Sequence, residues 1–88
     1  MLDSLRDRIY DKVLKTITDI SGHSPTELNG RTELILDLGL DSLAIFEIVI
    51  ELEESFDLQI TDEDIERIKT IDDIVDHIYR QENARKQD

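Results

Sequence analysis

The stretch Asp37-Leu38-Gly39-Leu40-Asp41-Ser42-Leu43-Ala44-Ile45-Phe46-Glu47-Ile48-Val49-Ile50-Glu51-Leu52-Glu53-Glu54-Ser55-Phe56 changes character at Asp41. After Asp41, no Gly or Pro interrupts the run through Phe56, which is rich in Leu, Ile and Glu, so a helix over Ser42–Phe56 is expected. Asp41 is a natural N-cap, which puts Ser42 at the first helical position. Gly39 permits a tight approach to that start. Placed on a wheel at about 100° per residue, Ile45, Ile48, Val49, Leu52 and Phe56 form one core stripe. Leu43, Phe46 and Ile50 fall opposite or to the flank, among Glu47 and Glu54, with Glu51 and Glu53 at the edges. A helix with apolar residues set among carboxylates on its outer face reads as a docking surface. The competing reading is that the preceding loop covers Phe46 or Leu43.

Outward from this helix, Leu5, Ile9, Val13, Ile17 and Ile20 recur at helical spacing, widened by Tyr10 and Leu14, and give a first helix from about Asp3 to Ile20. Gly22 and Pro25 end it. Residues 21–41 contain the breaker clusters Ser21-Gly22-His23-Ser24-Pro25 and Asn29-Gly30, so a long irregular connection is expected. Its apolar residues Leu28, Leu34, Ile35, Leu36 and Leu38 should pack onto the helices. Thr61, with Asp64 three residues on, caps a short third helix through Ile68. Thr70 or Asp72 caps a fourth, with Ile71, Ile74, Val75, Ile78 and Tyr79 on its inner stripe. The expected fold is an all-α, four-helix bundle over residues 1–80, with a polar tail, 81–88, that frays.

The chain has 88 residues, enough for one domain with a modest core. It has no cysteine, so disulfides and thiolate metal sites are excluded. No apolar run approaches a membrane span and the N-terminus lacks a signal-peptide pattern, so the default is a soluble cytoplasmic protein, expected to be monomeric. The formal net charge is -12, which argues against nucleic acid and favours a basic protein partner. Residues 37–76 carry fourteen acids against two bases, Arg67 and Lys69, while residues 1–36 are nearly balanced at six against five.

Ser42 is exposed on a rigid element, where a phosphate would lie near the free N–H groups and positive end of the helix. Asp-Ser is also a common capping pair with no further role. Catalysis by Ser42 has no support: His23 and His77 are the only histidines, nothing orients either toward it, and no G-x-S-x-G elbow is present. No EF-hand is present either. A loop begun at Asp37 has Ser42 at the glycine position and Ile48 at the glutamate position, and one begun at Asp62 has Arg67 at the glycine position.

The segment Asp37–Leu43, followed by Glu47, Glu51-Leu52-Glu53-Glu54, Phe56, Ile60 and Asp62-Glu63-Asp64, closely resembles the acyl carrier proteins, and the resemblance spans the whole chain. It implies a non-enzymatic carrier with 4′-phosphopantetheine, taken from coenzyme A, on Ser42. A separate phosphopantetheinyl transferase would attach it with magnesium, which Asp41 helps to hold. Leu43 adjoins the attachment site. Leu43, Phe46, Glu47, Ile50, Glu53, Glu54, Ile60 and Asp62 would form the surface for acyl-transferring or condensing enzymes with basic docking patches. The acyl chain would retreat between the second and third helices, among Ile45, Val49, Leu52, Ile60, Ile65 and Ile68. Ala44 and Phe46 depart from the commonest fatty-acid-synthesis pattern and suggest a specialised carrier in polyketide, peptide or modified-lipid assembly. The absence of a Pro- or Ala-rich linker suggests a free-standing protein. A peptidyl or aminoacyl carrier and an unmodified helical interaction module stand as alternatives.

Overall fold

The computed structural model describes residues 4–86. Four α-helices succeed one another: α1 over Ser4–Ser21, α2 over Ser42–Phe56, α3 over Asp62–Arg67 and α4 over Ile71–Lys86. A single 3-10 turn, Pro25–Glu27, interrupts the long connection. The Asp3 start expected for the first helix lies outside the described residues.

The apolar spacing explains the packing. Ile9, Val13 and Ile17 of α1 are fully buried, and this stripe meets both α4 and α2. Ile71, Ile74, Val75 and Ile78 of α4 and Ile48, Val49 and Leu52 of α2 complete the centre, with Leu34 of the connection among them. Burial of each such side chain contributes about 1.5–3 kcal/mol, so this one cluster dominates the stability of the fold. Gly22, at φ +81°, stops α1 in a conformation that other residues adopt only with strain.

The capping residues read from the sequence take up their posts. Asp41 Oδ1 accepts from the N–H of Ala44 at 2.9 Å. Thr61 and Asp64 form a reciprocal capping box at the start of α3. Thr70, rather than Asp72, caps α4: its Oγ1 accepts from Asp73 N–H at 3.1 Å, and Asp73 Oδ2 accepts from the N–H groups of Thr70 and Lys69. Burial works to raise the Asp73 pKa, but these hydrogen bonds and the Lys69 charge outweigh it and hold the carboxyl below its ordinary range. The Thr61 hydroxyl and N–H do the same for Asp64.

The long connection is tied down by backbone. Leu34 N–H donates to Lys69 O at 2.9 Å, Ile71 N–H to Thr32 O at 3.1 Å, and Asp72 N–H to Gly30 O at 2.9 Å. These bonds fasten residues 30–34 to the α3–α4 link, through an isolated bridge between Glu33 and Thr70. A helical turn comes next, with Asp37 N–H on Glu33 O and Gly39 N–H on Ile35 O. Leu28 and Leu34 are buried and Leu38 is half-buried, as packing requires. Ile35 and Leu36 are not: they are 61% and 77% exposed. The turn over 33–39 points those two outward once Leu34 and Leu40 have been placed inside.

The expected fraying after residue 80 is corrected for residues 81–86, which continue α4. Polar side chains there find backbone partners on the α2–α3 link. Gln81 Nε2 donates to Gln59 O at 3.1 Å, and Arg85 donates to Asp57 O at 2.6 Å. Asp57 adopts the left-handed conformation at φ 52° that ends α2, in a turn whose carbonyls these side chains reach.

Candidate functional site

Ser42 opens α2 and is exposed, as is Asp41 before it. Asp41 spends Oδ1 on the cap, and its second oxygen has no hydrogen bond among the described residues. The N–H groups of Ser42 and Leu43, in the first turn, also lack acceptors there, so they are free to receive an anion. Gly39, at φ +68°, turns the backbone two residues before the cap with open space where a Cβ would lie.

Ser42 lines a groove of ≈ 550 Å³. The walls come from the connection (Glu33, Ile35, Leu36), from α2 (Ile45, Phe46) and from α3 and its C-terminal link (Ile65, Glu66, Ile68, Lys69). Of the residues expected to wall an acyl chain, Ile45, Ile65 and Ile68 line this groove, whereas Val49, Leu52 and Ile60 are buried in the core. A mainly apolar groove lined in part by an exposed serine suits a pantetheine arm attached to that residue.

The outer face of α2 is open. Leu43, Phe46 and Ile50 are 68%, 45% and 52% exposed, so the loop does not cover them. Glu47, Glu51 and Glu54 are exposed beside them, and Asp62 is exposed at the start of α3. Glu47, Ile50 and Glu51 also flank a second cleft, across from Lys12 and Lys15 of α1.

Two residues expected on this surface belong elsewhere. Ile60 is 6% exposed and packs in the core. Glu53 is half-buried, and its Oε2 accepts from Ile60 N–H at 2.8 Å. Both are explained by the turn after α2, where the chain folds back and needs an acceptor for the Ile60 N–H. Sequence reading misses the groove's use of Ile35, Leu36, Glu33, Glu66 and Lys69, because the bridge that brings residue 33 beside residue 70 leaves no periodic signal.

Neither histidine lines the groove of Ser42. His77 Nε2 is 2.7 Å from Gln81 Nε2 and 3.6 Å from Asp64, and His23 lies 3.6 Å from Glu27. No group of three or more acids and histidines suited to a metal ion occurs among the described residues. No helix is long and apolar enough to cross a membrane among them.

An exposed serine thus opens the second helix of a four-helix fold. Residues 11–78 match the family described as the phosphopantetheine attachment site. The chain is 40% identical over 76 residues to an acyl carrier protein of Bdellovibrio bacteriovorus, covering 86% of this chain and 97% of that one. It is 39% identical over 70 residues to an acyl carrier protein of Clostridium acetobutylicum, covering 80% and 91%. A solved structure of the acyl carrier protein from Enterococcus faecalis superposes with a TM-score of 0.72 at 34% identity, over 83% of this chain and 92% of that one. The chain therefore belongs to the acyl carrier protein family. It is a carrier, not an enzyme, and its cofactor is a covalently attached 4′-phosphopantetheine.

Proposed function

We propose that Ser42 is the attachment point, and that this protein delivers acyl groups to partner enzymes of fatty acid, polyketide or related lipid biosynthesis in the cytoplasm. The observation that carries this reading is the exposed Ser42 that opens α2 and lines the ≈ 550 Å³ groove. Once attached, the group supplies a terminal thiol that holds the cargo as a thioester.

The chain's own residues supply the rest. The first-turn N–H groups of α2 and its dipole favour the phosphate on Ser42. The free oxygen of Asp41 lies beside it and suits a magnesium ion shared with a phosphopantetheinyl transferase. Leu43, Phe46 and Ile50 give a partner apolar anchors, and Glu47, Glu54 and Asp62 steer enzymes with basic docking patches. Docking raises the local concentration of the tethered cargo at each enzyme in turn. The acidic surface favours an acyl cargo over an aminoacyl one.

Incubation with coenzyme A, magnesium and a broad-specificity phosphopantetheinyl transferase tests the proposal. The intact mass should rise by one phosphopantetheine in the wild type and not in Ser42→Ala. An unchanged wild-type mass would instead support an unmodified interaction module.

A further inference from the structure

The groove beside Ser42 is apolar along most of its length, yet two carboxylates, Glu33 and Glu66, stand on its walls. A phosphodiester on Ser42 would add another negative charge to a surface already poor in cations. Residues 37–76 hold two bases, and the structure sends them to different places. Arg67 lines a separate cleft with Asp64, Asp76 and His77. Among the described residues, Lys69 is the one cation that lines the groove of Ser42.

The backbone of Lys69 is fixed. Its carbonyl accepts from Leu34 N–H at 2.9 Å, and its N–H donates to Asp73 Oδ2 at 2.9 Å. The flexible four-carbon side chain rises from that anchored position and is exposed. Its ammonium makes no salt bridge within 4.0 Å among the described residues, though Asp73 feels its charge. A compact ammonium with no carboxylate of the described residues within salt-bridge distance is well suited to a phosphate.

We propose that Lys69 is a positioning residue for the arm: its ammonium binds the phosphodiester on Ser42 and so lays the pantetheine against Phe46, Ile65 and Ile68. The proposal rests on Ser42 as the attachment point. It gives the groove a polarity, with the charged end of the arm held at Lys69 and the apolar walls left for the pantetheine and its cargo. It also gives the Lys69 charge a use beyond its attraction to the Asp73 carboxylate.

The test uses loaded protein, with loading followed by intact mass. In the wild type, nuclear Overhauser contacts should join the geminal methyls of pantetheine to Phe46, Ile65 and Ile68, and the arm's 31P resonance should move when Lys69 is replaced. Lys69→Gln should weaken those contacts about threefold, and Lys69→Arg should restore them. About 0.5 M salt should weaken them in the wild type and leave Lys69→Gln unchanged. Loading should also lower the melting temperature by about 2–4 °C more in Lys69→Gln than in the wild type at low salt. Loaded Lys69→Gln with wild-type contacts and the wild-type 31P shift would overturn the role of Lys69 alone. A wild type that accepts no arm would overturn the Ser42 reading, and this proposal with it.

Discussion

The carboxylate of Glu53 lies 2.8 Å from the backbone nitrogen of Ile60, seven residues further along the chain. The same residue's carbonyl receives the N–H groups of Asp57 and Leu58. Glu53 therefore gathers three donors of the turn between α2 and α3. This turn positions α3, whose Ile65 and Glu66 form one wall of the groove.

A residue that holds a turn should affect stability more than docking. Glu53→Ala should destabilise the fold by about 1–2 kcal/mol, because it leaves the Ile60 N–H without its acceptor. Glu53→Gln retains an acceptor oxygen and should recover most of that loss. Urea unfolding of the two variants measures the difference.

Much of this is legible in sequence. The bounds of α2 and the Asp41 and Thr61 caps come from period and capping chemistry, which act over four residues or fewer, while the choice of Thr70 over Asp72 and the openness of Leu43, Phe46 and Ile50 are settled by the structure. The features that escape a sequence reading depend on distant partners. Glu53 reads as one more surface acid, and only the path of the chain back to Ile60 gives it a structural task. Residues 81–86 read as polar enough to fray, and only the nearness of the Asp57 and Gln59 carbonyls holds them in α4. Ile35 and Leu36 read as core, but residues 34 and 40 take the inward positions.

Gly39 sits at φ +68° with nothing within 4 Å of a built Cβ. The cost of Gly39→Ala is therefore backbone strain without a clash, about 1 kcal/mol. Thermal unfolding should show this modest loss. Loading of Ser42 should slow as well, since the turn that presents Asp41 and Ser42 is perturbed.

Asp64 has its pKa lowered from 3.8 by the Thr61 bonds that cap α3, and Asp73, despite its burial, has its own lowered by the bonds that cap α4. For a lowered carboxylate, the stabilisation is fully present above the unfolded value of about 3.9 and is lost as pH falls through the folded value. In that window the unfolded chain binds more protons. Asp73→Asn removes one such contribution, so the stability gap between wild type and Asp73→Asn should be widest near pH 7 and narrow below about pH 4. Urea unfolding across that range checks it.

Glu47 is exposed between Leu43 and Ile50 and forms no salt bridge among the described residues. Glu47→Lys should leave the fold intact, slow transfer to partner enzymes and flatten the salt dependence of that rate. Stopped-flow or single-turnover transfer at two ionic strengths reads both effects.

The proposal puts the arm on the hydroxyl oxygen of Ser42, and peptide-level mass spectrometry after transferase treatment addresses it directly. Fragmentation of the loaded wild type should place phosphopantetheine on the peptide containing Asp41-Ser42-Leu43 and on no other serine. Phosphopantetheine found on Ser24 or Ser55, or a Ser42→Ala protein that still gains the full mass, would contradict it.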